Sequence, residues 1–236
     1  MGVPVHERIR YPLCTCRPTA GAFTMRILII GAGGHGRVVA DALLESRRAG
    51  ALVDPVGFLD DDASRIGRVY ASIPVIGGLD ARAQAPHDAV IVAIGDNATR
   101  ARVIAAMDAA GERLAISRHP TAIVAPDVET GAGSMISAGA RIMTGTRLGR
   151  GVIVNTGAIV DHDATIGDSA HVAPGVVLGG DVVIGAGTLV GLGARVLPGV
   201  CIGKRVTIGA GAVVLADVPD GVTYAGVPAR LIAPRP

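Results

Sequence analysis

The sequence contains no tryptophan, and aromatic residues make up only 2% of its 236 residues. Large aromatic side chains normally supply much of the buried area of a globular interior, so their scarcity argues against a bulky conventional core. Half of the residues are nevertheless apolar, and glycine, with 34 residues, is well above ordinary usage. This composition favours a core of Val, Ile, Leu and Ala arranged in thin, repeated layers.

Net charge and cysteine are also scarce. The chain has 22 basic and 20 acidic residues, Lys204 is its one lysine, and the basic residues form no run. This balance predicts neither a nucleic-acid nor a membrane partner. Cys14, Cys16 and Cys201 lack the spacing of a disulfide or metal framework, which predicts a reducing, cytoplasmic location. No apolar run reaches the roughly 18 residues of a membrane span.

The chain divides into three predicted segments. Residues 1–24 contain three prolines and no periodicity, and we expect a disordered extension or one that results from a mis-assigned start. Residues 25–118 are predicted to form a Rossmann-like α/β domain. Residues 119–236 are predicted to form an all-β domain with a C-terminal tail.

A six-residue repeat runs without a break from Ile123 to Val218, giving sixteen hexads. The second position is Val, Ile or Leu in fifteen of them, with Thr130 as the exception, and the sixth is always Val, Ala, Ser or Thr. A period of six fits neither a helix nor simple strand alternation. It predicts a three-sided column in which each hexad forms one flat side and a turn, with three hexads per 18-residue coil. Unbroken hexapeptide repeats of this kind resemble the left-handed parallel β-helix.

The segment before the repeat alternates strands and helices. It predicts strands at residues 26–30, 56–59 and 89–94, and helices at about residues 37–48 and 98–109. The glycine turn at residues 31–36 is either a phosphate cradle at a helix N-terminus or simply a tight strand-to-helix turn. The acidic residues at 60–62 are likewise either ribose-binding carboxylates or a solvated turn, and we expect the latter role for Asp62.

One histidine of the repeat is a candidate general base. His162 occupies the fourth position of its hexad, at a turn, and Asp161 and Asp163 flank it. A carboxylate can hold an imidazole in the tautomer that abstracts a proton. One coil later the stacked position is Gly180, which leaves an open slot with a backbone N–H for an oxyanion. His171 lies half a coil away, so we expect it to reach the active site of a neighbouring subunit. The alternative for both histidines is that they are ordinary surface residues with no role in catalysis.

A zinc site is the competing use of paired histidines. Zinc needs three or four ligands held at metal distance. The spacing of the histidines here does not supply them, so the sequence predicts no metal.

The motifs together resemble a known family, the sialic-acid O-acetyltransferases and sugar-nucleotide N-acetyltransferases of bacterial glycan synthesis. The matching motifs span nearly the whole chain after residue 24 in the same order. They are Ile-Gly-Ala-Gly-Gly-His-Gly (30–36), Gly-Phe-Leu-Asp-Asp (57–61), Ala-Ile-Gly-Asp-Asn-Ala-Thr-Arg (93–100), His-Pro (119–120), Val-Asn-Thr-Gly (154–157), Asp-His-Asp (161–163), His-Val-Ala-Pro-Gly (171–175) and Ala-Gly-Val-Pro-Ala-Arg (225–230).

In the β-helix the resemblance implies a homotrimer with acetyl-CoA bound between adjacent columns. His162 is then the general base and Asp163 orients it. Asn155 and His171 match residues placed at the same cleft, contacting substrate and acetyl group, and Gly180 matches a backbone donor to the thioester carbonyl.

In the N-terminal domain the resemblance implies a site for the nucleotide of a UDP-sugar. The matching positions are the glycine loop with Gly33 and Gly34, together with His35, Asp60 and Asp61. Some relatives carry a lysine directly after the acidic pair, where this sequence has an aspartate.

The predicted function is therefore transfer of an acetyl group from acetyl-CoA to an amino group of a nucleotide-linked sugar, directly within a ternary complex. An O-acetyltransferase acting on sialic acid or a related sugar is the nearest alternative. Two alternatives from other classes are a non-catalytic nucleotide-sugar sensor or scaffold and an NAD-binding oxidoreductase.

Overall fold

The computed structural model describes residues 23–232, so residues 1–22 of the predicted N-terminal extension lie outside it. The N-terminal part contains a five-stranded sheet in which every pairing is parallel except that of the two strands at one edge. In spatial order the strands are β3 (Val69–Tyr70), β4 (Ile73–Gly77), β2 (Val53–Leu59), β1 (Met25–Ile30) and β5 (Ala89–Val92).

Two helices cover the sheet, α1 (Gly34–Arg48) on one side and α2 (Asn97–Ala109) on the other. Helix α1 can start directly after β1 because Gly36 has no side chain: a Cβ there would lie 1.9 Å from the Gly31 carbonyl oxygen. Within residues 23–232, no helix is both long enough and apolar enough to cross a membrane.

The second part is a column of very short parallel strands. After β6 (Ser117–Arg118), each of the sixteen hexads contributes one strand from its first two residues, followed by a turn. These strands are β7 (Ile123–Val124), β8 (Glu129–Thr130), β9 (Met135–Ile136), β10 (Arg141–Ile142), β11 (Arg147–Leu148), β12 (Ile153–Val154), β13 (Ile159–Val160), β14 (Thr165–Ile166), β15 (His171–Val172), β16 (Val177–Leu178), β17 (Val183–Ile184), β18 (Leu189–Val190), β19 (Arg195–Val196), β20 (Cys201–Ile202), β21 (Thr207–Ile208) and β22 (Val213–Val214).

The strands stack into three parallel sheets, because each residue pairs with the residue 18 positions later; Ile153, for example, pairs with His171. The second residue of each strand points inward, and Val154, Val160 and Ile166 are no more than 1% exposed. Full burial of such a side chain contributes about 1.5–3 kcal/mol, and the burial is achieved only when neighbouring coils stack. A parallel β-helix built from hexapeptide repeats, preceded by an α/β domain, is therefore confirmed.

Each sheet forms one face of the column, and the faces differ in what their outward residues contact. The docked face contains β6, β9, β12, β15, β18 and β21. The Ile159 face contains β7, β10, β13, β16, β19 and β22, and the Thr165 face contains β8, β11, β14, β17 and β20.

The docked face packs against the N-terminal domain. The outward side chains of Met135 and Ile153 are at most 1% exposed and join the apolar cluster of α1 and β1. Ser46 Oγ on α1 donates a 2.6 Å hydrogen bond to the Arg118 carbonyl oxygen. The two parts therefore share a core.

The last described residues, 215–232, pair with the final coil on every face. On the docked face, β23 (Thr223–Ala225) pairs with β21 and is followed by the antiparallel strand β24 (Arg230–Leu231). On the Thr165 face, Val218 forms a bridge with Ile202. On the Ile159 face, the Ala229 N–H donates a 2.8 Å hydrogen bond to the Val213 carbonyl. We call residues 215–232 the closing segment.

Candidate active site

His162 lies at the turn between β13 and β14, on the edge where the Ile159 and Thr165 faces meet. We call this the His162 edge. The side chain is 50% exposed, and its Nδ1 lies 2.9 Å from Asp163 Oδ2. This hydrogen bond, with smaller contributions from Asp161 and Asp181, raises the pKa of His162. The contact fixes the imidazole with Nε2 free to act as a base.

The coils on either side hold this pair in place. The Asp163 carboxylate lies against Gly145, one coil earlier, where a Cβ would meet Asp163 Oδ1. The His162 ring lies over Gly180, one coil later, where a Cβ would be 2.5 Å from both Cε1 and Nε2. The slot expected above His162 is therefore occupied by the imidazole itself. Within residues 23–232, the Gly180 N–H makes no hydrogen bond.

His171 lies on the docked face and contacts residues of its own chain. Asn155 Nδ2 donates a 3.1 Å hydrogen bond to His171 Nε2, and Asn155 Oδ1 accepts one from Thr156 N, which fixes the amide orientation. The ring also forms a hydrogen bond with the Gly95 backbone, and its centroid is 6.2 Å from that of His35. His35 and His171 of one chain therefore lie close together.

A buried arginine joins this cluster to the N-terminal domain. Arg100 is 0% exposed. Burial lowers its pKa to about 10, so the guanidinium remains a cation at neutral pH. Its N–H groups donate to oxygens from both parts of the chain: the carbonyls of Ile94, Gly95, Gly151, Ser169 and Ala170 and the side chain of Asn97, at 2.7–3.4 Å.

The charge of Arg100 affects the two nearby histidines. Burial is the main cause that lowers the pKa of His35 and of His171 to about 4, and Arg100 lowers both further. Both rings are therefore neutral at physiological pH. His162 is the one of the three whose pKa is raised.

The N-terminal domain carries a cavity of about 480 Å³ at the carboxyl ends of β1 and β2. This size suits a nucleotide-sized ligand. Five predicted residues line it together: Gly33, Gly34, His35, Asp60 and Asp61. Two cations in the same lining, Arg65 and Arg102, were not predicted from the sequence. They lie outside the quoted motifs, and only the fold shows that they face the glycine loop.

A second cavity, of about 440 Å³, separates α1 from the turns that link the docked and Ile159 faces. Its polar lining consists of Arg37, Asp41, His119 and Thr156. Gly34 lines the first cavity as well, so both cavities adjoin the start of α1.

The two groups of candidate residues lie on opposite edges of one face. Asn155 lies at the turn between β12 and β13, where the docked face meets the Ile159 face. We call this the Asn155 edge. The Ile159 face separates it from the His162 edge.

Within residues 23–232, no three His, Cys, Asp or Glu side chains lie close enough together to hold a metal ion. The chemistry available is that of an oriented imidazole beside an unpaired backbone N–H, with a separate polar cavity for a ligand.

Two protein families match the chain. The PglD N-terminal domain family matches residues 26–107. The bacterial transferase hexapeptide family, with six repeats, matches residues 181–216. No curated protein sequence matches the chain significantly.

Solved structures match the chain over most of its length. A variant of perosamine N-acetyltransferase from Caulobacter crescentus, in complex with CoA and GDP-perosamine, is 38% identical, with a TM-score of 0.80 over 88% of this chain and 97% of that one. The acetyltransferase domain of PglB from Neisseria gonorrhoeae, in complex with acetyl coenzyme A, is 36% identical, with a TM-score of 0.81 over 89% and 100%. WeeI from Acinetobacter baumannii is 29% identical, with a TM-score of 0.78 over 89% and 100%.

A repeat that forms the column, a preceding domain that matches PglD, and identities of 36–38% over nearly complete chains lead to one assignment. The chain belongs to the hexapeptide-repeat acyltransferases, in the group that contains perosamine N-acetyltransferase and the acetyltransferase domain of PglB.

Proposed function

We propose that this enzyme transfers the acetyl group of acetyl-CoA to an amino group of a nucleotide-linked sugar, with His162 as general base. The observation that carries the proposal is the pairing of an oriented, half-exposed imidazole on the column with a nucleotide-sized cavity in the N-terminal domain. Relatives of similar length bind CoA together with GDP-perosamine, a nucleotide-linked sugar.

The active form is proposed to be a homotrimer. Four of the six outward residues of the Ile159 face are apolar, namely Ile123, Ile159, Val177 and Val213, and the exposed Arg141 and Arg195 lie between them. A cyclic trimer that buries this face brings the His162 edge of one subunit against the Asn155 edge of the next, because a ring is built from head-to-tail contacts between unlike edges. Each site would then combine His162 and Asp163 from one chain with the residues of the Asn155 edge from its neighbour.

The acceptor would span the two cavities. A nucleotide in the first cavity places its diphosphate near Gly33 and Gly34, at the N-terminus of α1, where backbone N–H groups favour anions. The attached sugar would extend past Gly34 into the second cavity, toward Thr156 and the Asn155 edge. His35 Nε2 is buried and has no hydrogen-bond partner within residues 23–232, so a polar substrate group would satisfy it.

The reaction is proposed to proceed by direct attack. His162 Nε2 removes a proton from the acceptor amine as its nitrogen attacks the thioester carbonyl carbon, while Asp163 stabilises the imidazolium that forms. The Gly180 N–H donates a hydrogen bond to the tetrahedral oxyanion. Collapse of this intermediate breaks the C–S bond, and the thiolate of CoA takes the proton from His162. Acetyl-CoA would lie in the groove between two columns, in contact with His171.

Two finer points of the fold belong to the same proposal. The winding of the column is proposed to be left-handed, in keeping with its match to the hexapeptide transferase family. The N-terminal domain, with boundaries at residues 25–118, is proposed to be Rossmann-like, since the order β4-β2-β1-β5 of its parallel strands matches four strands of that fold.

Gly180→Ala is expected to lower kcat roughly 100-fold. The new Cβ would occupy the place where the His162 ring lies, so the ring must move by about 1 Å. A displacement of about 1 Å lowers the rate of a reaction between positioned groups by about 100-fold. The substitution retains the backbone N–H and therefore tests the position of the ring alone. Steady-state kinetics measures the effect.

The control for Gly180→Ala is the same substitution in a His162→Ala background. Without the ring the methyl group has space, so the second substitution should add little to the loss caused by the first. Full activity in the single variant would contradict the proposed position of the base.

Asp163→Asn is expected to shift the acid limb of the pH–rate profile to lower pH and to reduce the plateau by at least about 10-fold. A base must be neutral, so kcat/KM falls as the pH drops through the raised pKa of His162, and loss of the Asp163 hydrogen bond, the largest cause, lowers that pKa. Asparagine tolerates the φ of +58° at this position.

Asp181→Asn is the matched control for Asp163→Asn. Asp181 has a similar φ of +57° and acts on His162 only through its charge. Its replacement should retain the plateau and shift the limb less. Equal shifts from the two variants would rule out a special role for the hydrogen bond.

The proposed function is tested by measuring CoA release from acetyl-CoA with a panel of UDP-, GDP- and dTDP-linked 4-amino sugars and free sialic acids. We expect release with a nucleotide-linked amino sugar. Release with sialic acid alone would replace the amine acceptor by a hydroxyl. Failure to release CoA with every acceptor in the panel would favour a binding protein over an enzyme.

A further inference from the structure

We infer that Arg65 binds the diphosphate of the nucleotide. The aspartates around Arg65 orient its guanidinium, and Asp60 does not bind the ribose. The inference rests on the proposed function, which supplies the nucleotide-linked ligand. It assigns a phosphate-binding cation to a chain that has an aspartate where some relatives have a lysine.

Asp60 is already occupied by bonds within the protein. Its Oδ2 accepts hydrogen bonds from Ala32 N at 2.7 Å and from Arg65 Nη1 at 3.0 Å, and its Oδ1 accepts one from Asp62 N at 2.9 Å. The side chain is only 12% exposed. A carboxylate offers about four acceptor sites, so three internal donors leave Asp60 little capacity for a ribose hydroxyl.

Arg65 is held between two of these aspartates. Its Nη1 pairs with Asp60, and its Nε lies 3.1 Å from Asp62 Oδ2. Asp62 is fixed in turn because its Oδ1 accepts a 3.0 Å hydrogen bond from Ser64 N. A guanidinium has five N–H donors, and within residues 23–232 only two of those of Arg65 point at carboxylates. The remaining donors are available to a ligand.

The guanidinium is positioned at the glycine loop. A Cβ added to Gly33 would lie 3.2 Å from Arg65 Nη1, and both residues line the 480 Å³ cavity. Planar guanidinium donors match phosphate oxygens in a bidentate geometry. Arg65 therefore covers the start of α1, which is where a diphosphate would lie.

The charges of the cavity permit an anion there. Asp60 and Asp61 are balanced by Arg65 and Arg102, and His35 is neutral because its pKa is lowered to about 4. Because the side-chain charges cancel, the positive end of the helix dipole at Gly34 makes the local electrostatic potential favourable for an anion. Asp61 is exposed at this site, and its carboxylate remains the better candidate for the ribose.

The test compares Arg65→Met with Arg68→Met by titrating UDP, GDP and the corresponding free nucleosides into the full chain. Arg68 is a matched control, because it is exposed, donates to the Ser64 carbonyl and does not line the cavity. We expect Arg65→Met to weaken binding of the preferred diphosphate roughly 10- to 100-fold, with nucleoside binding unchanged. Arg65→Lys keeps the positive charge but not the planar guanidinium donors, so we expect it to lose less diphosphate affinity than Arg65→Met.

Three results would overturn the inference: no binding of either diphosphate by the wild-type protein, equal diphosphate affinity in Arg65→Met and wild type, or an equal loss for nucleoside and diphosphate. A wild-type protein that binds a diphosphate through Arg65 but releases no CoA from acetyl-CoA supports the inference and overturns the proposed function. The two ideas therefore fail separately.

Discussion

Replacing His162 by alanine is expected to lower kcat at least about 100-fold, because general-base catalysis by a positioned side chain is worth about 10²–10⁴ in rate. The acid limb of the pH–rate profile should disappear with the ring. His35 and His171 cannot replace that limb, since each has its pKa lowered to about 4. Acetyl-CoA affinity and the oligomeric state should be retained, because the side chain is half exposed and contributes no core packing.

The matched control for His162→Ala is Thr165→Ala. Thr165 lies three residues later on the same coil and is also exposed, but its side chain makes no hydrogen bond within residues 23–232. Its activity should equal that of the wild type. Near-normal turnover in His162→Ala, or an unchanged acid limb, would remove the proposed base.

Arg100→Met is expected to lower the free energy of unfolding by about 3 kcal/mol or more. The guanidinium is 0% exposed, and its loss leaves carbonyl oxygens of both parts of the chain buried without donors. Each such group costs about 1–3 kcal/mol. Urea denaturation at a fixed protein concentration measures the loss. Arg100→Lys should restore little of the lost stability. The three donors of lysine lie on one nitrogen atom and cannot reach acceptors that are spread around a planar guanidinium.

Arg102→Met serves as the control for Arg100→Met. It lies on the same helix but is exposed, so its effect on stability should stay within about 0.5 kcal/mol. An Arg100 variant as stable as this control would show that the two parts of the chain do not depend on the buried cation.

The hexad pattern predicts the column in detail because each period of six residues corresponds to one flat side and one turn of the coil. Each hexad has its strand at the first two positions, and the pairing of residue 153 with 171 follows from three hexads per coil. The N-terminal domain is predicted less completely. Its central strands and both helices follow from apolar patterns, whereas β3 and β4 do not, since the exposed Val69 and Ile76 dilute the signal.

Half of the candidate site is predictable because it lies within single motifs. The contact of His162 with Gly180 follows from the repeat, and the residues of the glycine loop share one cavity. Arg65 was not found, because its role depends on a turn that folds it back over the loop. Arg100 was missed although a signal existed: it heads the buried stripe of α2, which continues with Val103, Ile104 and Met107. An arginine in line with the buried residues of a helix indicates buried acceptors.

The contacts of His171 could be known only from the fold. Counting along the repeat puts it half a coil from His162, and we therefore expected it to reach a neighbouring subunit. The structure adds that its ring is fixed by Asn155 and lies near His35 of its own chain. No count along the repeat reveals this contact, because it depends on how the N-terminal domain packs on the docked face.

The closing segment has a consequence for how copies of this protein meet. A stack of parallel strands ends in a row of free N–H and C=O groups, which is a template for adding further strands from another molecule. Here Val218, β23 and Ala229 occupy that row on the three faces, and antiparallel β24 breaks the repeat beyond it. Another column therefore cannot extend this row as a regular parallel stack.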